Sequence, residues 1–278
     1  MKLRNDPVSF FLKALVRTAA ALTALIVIFL IAYILVKGVP HINPSLFAWE
    51  YNSKNVSMLP ALINTIITVV LSLTLTAPLG IFAAIFLSEY ARRGNRLVKV
   101  VRVAAEVLSG IPSIVYGLFG MIFFVVTLQW GYSLLAGSFT LAIMILPLIM
   151  RTSEEALISV PDIYREGSFG LGAGRLRTVF SIVLPVATPG IFAGIILAIG
   201  RIAGETAALI FTAGTLAKVA GGFFDSTRTL SVHMYSLSSE GLFIEEAYAT
   251  AVVLLILVVL INACSSFLAK RVTGGHSE

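Results

Sequence analysis

The sequence predicts an all-α membrane protein of six membrane-crossing helices, with both chain ends on the cytoplasmic side. Composition is the first observation behind this. Of 278 residues, 58% are hydrophobic and only 12% are charged, and mean hydropathy is +0.97. A soluble domain carries about 25% charged residues. The second observation is six apolar runs, each near the ~20 residues that cross a ~30 Å hydrocarbon core as a helix. The third is the placement of lysine and arginine, which is one-sided once successive spans alternate in direction.

In chain order the runs are Thr18–Val36, Leu59–Leu87, Val103–Leu128, Leu134–Met150, Ile182–Phe211 and Ala247–Ala269. Each is predicted to be helical, because lipid offers the backbone no hydrogen-bond partner. The first run follows Lys13 and Arg17 and has no clean small-residue cleavage site after it, which marks a retained span. The chain therefore divides into a cytoplasmic N-terminal segment (1–17), a transmembrane body (18–269) and a cytoplasmic tail (270–278). Trp49, Tyr51, Trp130, Tyr132 and Tyr235 fall near span ends, where amphipathic aromatics settle. The one cytoplasmic connection of substance is 151–181, and no segment is large enough for a separate soluble domain.

With the N-terminus inside, the cytoplasmic segments hold 15 of the 20 lysines and arginines. These are Lys2, Arg4, Lys13 and Arg17, five between Arg92 and Arg102, four between Arg151 and Arg177, and Lys270 and Arg271. Four lie outside (Lys37, Lys54, Lys218 and Arg228), and Arg201 falls within the fifth span. This is the positive-inside pattern. It accounts for the net charge of +6 as topology anchoring and removes the reason to invoke nucleic acid.

Several chemistries are absent from the sequence. There is no G-x-x-x-x-G-K-[ST] stretch, so the source of any energised work would lie on another chain. No serine sits in a G-x-S-x-G elbow, and no catalytic residue is predicted. His41, His233 and His276 lie far apart without a cysteine or carboxylate at ligand spacing, so neither a metal nor a cofactor is expected in this chain. The single cysteine, Cys264, excludes an internal disulfide.

The most informative stretch is Gly200–Phe211, where Arg201 and Glu205 stand four residues apart inside an apolar run. Each charge in hydrocarbon costs about 2.5–3.5 kcal/mol, so both are expected to face protein or water. At helical spacing they share a face and can pair. The planar fork of arginine suits an oxyanion. Arg201, Glu205 and the adjacent Thr206 are therefore candidates for an anion path.

Hydroxyls draw two further stripes. Thr65, Thr68, Ser72 and Thr76 step by three, four and four along the second span; Ser109, Ser113 and Tyr116 do the same in the third, where Pro112 can bend the helix. Thr68, Ser72, Ser113 and Tyr116 join the path candidates, although serine and threonine also pack quietly between membrane helices. Gly190, Gly194, Gly200 and Gly204 permit close helix approach. Glu106 is expected to pair with Arg102 one turn away. Glu154, Glu155, Glu245 and Glu246, at span ends, are expected to be solvated.

In the cytoplasmic connection, Pro161 and Asp162 are helix-start residues, and glycines at 167, 170, 172 and 174 follow. A short helix there would expose Ile163 and Phe169 as a knob. The run Glu166-Gly-Ser-x3-Gly172-x9-Ile182-x-Leu184-Pro185 resembles the EAA loop of ABC-importer permeases, with Gly167 and Ser168 in place of the two alanines. The resemblance implies a type I (MetI-like) permease fold whose coupling helix docks on an ATPase subunit through Tyr164, Arg165, Glu166, Phe169 and Gly172. Gly200-Arg201-x-x-Gly204-Glu205-Thr206 and Ser109–Phe119 are similar to stretches of the phosphate-specific (Pst) importer, nearer its PstA-type permease than its PstC partner.

That resemblance covers roughly residues 60 to 270. It implies a phosphate permease in the bacterial cytoplasmic membrane that works by alternating access. Implied partners are a second, PstC-like permease, two P-loop ATPase subunits, a phosphate-binding protein and a phosphate-signalling regulator. Two other readings stay open on the residues alone: a permease for another oxyanion such as sulfate or molybdate, and a non-energised channel or signalling scaffold.

Overall fold

The computed structural model describes residues 7–92 and 94–274, with side chains from 9 to 267. Lys2, Arg4, Arg93, Lys270 and Arg271, on which the topology expectation draws, lie outside the described side chains, as does His276. Helices dominate, and no β-strand occurs among the described residues.

Helix α1 (Pro7–Gly38) exposes apolar side chains along its length. It docks chiefly on α11 (Ile244–Gly274), where Tyr33 meets Tyr248 edge-on and Gly38 lies against Val252 and the Tyr248 carbonyl. Two short 3₁₀ turns, Val39–His41 and Pro44–Phe47, lead to α2 (Leu59–Ile85), which closes in a π-wound turn, Phe86–Tyr90. Helix α5 (Leu134–Ile158) starts at a Ser133 cap whose hydroxyl accepts from the Ala136 amide. It runs eight residues beyond the predicted Leu134–Met150, because Ser153, Glu154, Ala156 and Leu157 stay buried past the apolar run.

The third predicted span, Val103–Leu128, is not one helix. Helix α3 (Arg96–Ser109) and α4 (Ser113–Gly120, continued by π-wound turns to Thr127) meet at 100°. Gly110 and Pro112 explain the break: Pro112 is extended (φ −58°, ψ 140°), lacks an N–H and cannot continue the ladder. Ser109 therefore shares no stripe with Ser113 and Tyr116. Helix α3 is strongly amphipathic, with Val98 packed on Leu87 and Met150 while Leu97, Val100 and Val107 are exposed. Among the described residues five other helices are long and apolar enough to cross a membrane, and the bent pair, taken as one span, brings the number to six.

Beyond α5 come α6 (Asp162–Gly170) and α7 (Arg175–Thr178), which winds through a π segment into α8 (Leu184–Gly204). The fifth predicted span, Ile182–Phe211, also stops early. Glu205 is extended (φ −72°, ψ 130°), and a separate short helix, α9 (Ala207–Ile210), follows. Helix α10 (Leu230–Glu240) ends at Gly241, whose φ of +71° a side chain would strain.

Helices α2 and α5 pack in parallel. Ser72 donates to the Ser138 carbonyl (3.3 Å) and Thr76 to the Ala142 carbonyl (3.2 Å), a constant register, and Gly80 lets Ile149 approach. Helix α8 runs antiparallel across α5: a Cβ on Gly190 would stand 2.6 Å from Ala156 Cβ, and one on Gly194 2.7 Å from Thr152 Cβ. These glycines are the small residues that membrane helices use for close contact. One core cluster joins α2, α4, α5, α8, α9 and α10 around Leu141, Ile145, Ile202 and Leu209. A second, around Leu157, Val179 and Val183, sits at the α6 end. The opposite end carries segment 39–58 with its two 3₁₀ turns, the irregular segment 211–229, and α10.

Candidate functional site

The site is built where α8 stops. Gly204 ends the helix, and the chain turns out so that Glu205 no longer lies on the face of Arg201. The expected ion pair between Arg201 and Glu205 is therefore absent. Instead the Glu205 carboxylate accepts from the Ala208 amide (3.2 Å) and caps α9, satisfying one of the free N–H groups at that helix start. The Glu205 carbonyl accepts from the Ser231 hydroxyl of α10 (2.6 Å), and Ser231 in turn bonds Thr229 (3.0 Å). Thr206 turns its hydroxyl back toward the Gly204 carbonyl (3.4 Å).

Arg201, released from that pairing, has no hydrogen-bond or ion-pair partner among the described residues and is exposed. It opens onto a hollow of about 540 Å³ with Leu148, Ala193, Leu197 and Asn262 on its wall. Asn262 comes from α11, and its Oδ1 is buried without a partner. The charge of Arg201 also reaches Tyr116 electrostatically. The Tyr116 hydroxyl donates to the Leu108 carbonyl (2.8 Å) and ties α4 back to α3 across the break. An unpaired guanidinium beside an unpaired amide carbonyl can take a partly protonated oxyanion, with the fork donating and Asn262 accepting.

Helix α4 reaches this place through Gly117, where a Cβ would stand 2.9 Å from Ala208 Cα and 3.1 Å from the Ala207 carbonyl. That contact brings Tyr116, Glu205, Thr206 and Arg201 into one region, with Ser113 one turn before Gly117. Thr68 and Ser72 are not part of it. Both are closed into the helix packing, at 2% and 0% exposure; Ser72 is bonded to α5, and the Thr68 hydroxyl has no partner. Thr65 accepts from the Leu230 amide (2.8 Å), so this stripe joins helices and does not line an open path.

At the other end, α6 exposes Ile163, Tyr164, Phe169 and Leu171, with Glu166 beside them, and Gly172 turns the chain at φ +82°. Arg165 differs from its predicted docking role. It points inward, pairs with Glu89 (2.6 Å) and Asp162 (3.3 Å), and bonds the Val160 and Leu157 carbonyls. Ser168, standing where the loop pattern has alanine, is buried against the Thr178 hydroxyl (2.8 Å). Glu154 is likewise not solvated: it is buried and holds Arg102 (2.6 Å), so Arg102 pairs across to α5 and not with Glu106. Sequence reasoning passed over Asn262, although a lone amide inside an apolar span is itself a signal.

The chain is thus a helical bundle with membrane-length spans, a helix broken beside an unpaired arginine, and an exposed apolar knob, α6, at one end. The family of binding-protein-dependent transport system inner membrane components matches residues 76–274, and the chain belongs to it. It is 33% identical over 277 residues to the probable ABC transporter permease protein YqgI of Bacillus subtilis, covering 91% of this chain and 92% of that one. It is 34% identical over 221 residues to the phosphate transport system permease protein PstA of Mycobacterium leprae, covering 77% and 72%. Among solved structures, a chain of a bacterial alginate ABC transporter superposes with a TM-score of 0.69 at 15% identity, covering 96% of both. A chain of the MetNI methionine ABC transporter gives 0.60 at 21% identity, covering 78% and 94%. At these identities the two structures speak to the fold alone.

Proposed function

We propose that this chain is a membrane-spanning permease subunit of an ATP-driven importer of inorganic phosphate, with Arg201 in the path. The observation that carries it is the unpaired Arg201 guanidinium beside the unpaired Asn262 carbonyl in an otherwise apolar bundle. The phosphate permeases among its relatives support the substrate. A second, PstC-like permease completes the path; two P-loop ATPase chains bind ATP and magnesium and receive α6; a phosphate-binding protein delivers the anion at the loop-rich end. The excess of basic residues in the predicted cytoplasmic segments supports a topology with both termini and α6 in the bacterial cytoplasm. Movement of α6 on the ATPases tilts α5 and α8 and alternately opens the bundle.

The test is phosphate uptake by the assembled complex carrying Arg201→Gln. Uptake is lost while the complex still purifies intact; normal uptake removes Arg201 from the path. Preserved uptake of sulfate or molybdate, with no phosphate uptake in the parent complex, would assign another oxyanion.

A further inference from the structure

The same chain holds two inward-turned arginines that differ in one respect. Arg165 presents its Nε/Nη2 edge to Glu89, with Nε to Oε2 at 3.2 Å and Nη2 to Oε1 at 2.6 Å. Arg228, in the segment between α9 and α10, is only 5% exposed, and the same Nε/Nη2 edge is shut from solvent with no hydrogen-bond partner. No carboxylate forms an ion pair with it among the described residues. Its guanidinium lies over the Tyr51 ring, 4.6 Å from the centroid. Tyr51 and, at longer range, the Glu240 carboxylate act on its charge, and the charge in turn reaches His233, fully buried with both ring nitrogens unpartnered and set edge-on to Tyr51. Leaving charged donors buried and unmade is costly, so a buried empty fork calls for a two-oxygen acceptor.

The surroundings supply a way in. Tyr51 also lines a cavity of about 380 Å³ with Trp49, Glu50 and Lys218. Asn64 ties the cavity wall to the arginine, donating to both the Lys218 carbonyl (2.8 Å) and the Arg228 carbonyl (3.3 Å). A shift of Tyr51 would open the fork onto the cavity, where Lys218 adds a second cation and Glu50 opposes it.

We propose that Arg228 is a second anion site at the loop-rich end, closed in this conformation, which takes phosphate from the cavity behind Tyr51 before it reaches Arg201. The ligand class rests on the import reading above; the empty fork does not.

The experiment uses the full chain in nanodiscs with Trp130→Phe, which leaves Trp49, on the cavity wall, as the sole tryptophan. Inorganic phosphate is titrated against Trp49 fluorescence, with melting curves on every variant. A saturable response is expected. Arg228→Lys keeps the charge but loses the fork and should raise the half-saturating phosphate about tenfold, the loss of one charge-assisted hydrogen bond; Arg228→Gln should abolish the response. Arg201→Gln should leave it unchanged, which separates this site from the path residue. No response, a response indifferent to Arg228→Lys, or one abolished by Arg201→Gln overturns the proposal. Acetate matching phosphate in half-saturation also overturns it and assigns the fork to a protein carboxylate. A phosphate response here together with normal uptake by Arg201→Gln would fail the import path while leaving this site standing.

Discussion

Arg165 and Glu89 lock α6 to the end of α2 through a two-point ion pair, Nη2 to Oε1 at 2.6 Å and Nε to Oε2 at 3.2 Å, with both side chains largely buried (15% and 8% exposed). Glu89 holds the guanidinium charged, raising the Arg165 pKa above its ordinary value against the effect of burial. Two helix-end carbonyls, Leu157 and Val160, and the Asp162 carboxylate take the remaining donors, so the knob is bound to α2 and α5 together. A push on the exposed face of α6 is thereby passed to two long helices at once.

Breaking this pair should separate hydrolysis from transport. Glu89→Gln leaves a buried guanidinium short of its counter-charge, a loss of about 3–5 kcal/mol for a buried pair. The expected outcome is a lower melting temperature of the assembled complex, with ATP hydrolysis continuing while uptake per ATP falls. Arg165→Lys should fall between this variant and the parent, since it keeps charge but not the fork. An uptake-to-hydrolysis ratio equal to the parent in Glu89→Gln would show that α6 transmits motion without this link.

The hydroxyl stripe of α2 gives a contrast between packing and path. Thr68→Val removes a buried hydroxyl that has no partner and keeps the shape, so stability should hold or rise by about 1–3 kcal/mol with uptake retained. Ser72→Ala removes the bond to the Ser138 carbonyl and should cost about 0.5–1.5 kcal/mol. Selective loss of phosphate uptake in a well-folded Thr68→Val complex would return this stripe to the path.

These residues also show what the sequence could and could not reveal. The apolar runs and basic residues mark the spans because both follow from transfer energies that act residue by residue. Glu166–Pro185 marks the knob through its resemblance to the permease loop pattern, beside the helix-start residues Pro161 and Asp162. The Arg201–Glu205 pairing failed because i and i+4 share a face only while the helix lasts, and Gly204 ends it one residue too soon. Arg102–Glu154 and Arg165–Glu89 join residues 52 and 76 positions apart, which no local periodicity can disclose. The 100° break at Pro112 was visible as a bend but not as a change of direction, since a proline fixes where the helix ladder stops and not the angle at which the next helix leaves.

Glu205 offers a selectivity test that leaves the fold in place. Glu205→Gln keeps an oxygen to accept from the Ala208 amide and loses only the charge. Hydrogenphosphate carries a proton at neutral pH that sulfate lacks, and a carboxylate accepts it better than an amide. The variant should lose about tenfold of its preference for phosphate over sulfate, the worth of one charge-assisted hydrogen bond, as read by competition in vesicles. Unchanged preference would confine Glu205 to capping α9.

Gly117 sets how closely α4 approaches the site. In Gly117→Ala the new Cβ would lie 2.9 Å from Ala208 Cα, and backbone must give way. Overpacking of this kind costs about 1–3 kcal/mol. Uptake should fall with the complex still assembled, and Gly131→Ala, whose Cβ meets nothing within 4 Å, should leave uptake intact despite its strained φ of +65°. Normal uptake in Gly117→Ala would show that α9 moves aside freely.

His233 predicts a pH dependence of stability at the loop-rich end. Burial, and then the charge of Arg228, push its pKa from the ordinary 6.5 down to about 3. The folded chain therefore keeps the ring neutral where the unfolded chain would protonate it. Stability from this group is complete above pH 6.5 and is lost as pH falls from there toward about 3, at up to ~1.4 kcal/mol per pH unit. His233→Gln should flatten the fall in melting temperature between pH 7.5 and pH 5. Glu50 and Glu240, the nearby carboxylates, remain in the variant, so subtracting its curve from the parent's isolates the histidine. Parallel curves would mean that the ring is hydrated or protonated in the folded chain, and Arg228 would then share its pocket with a second cation.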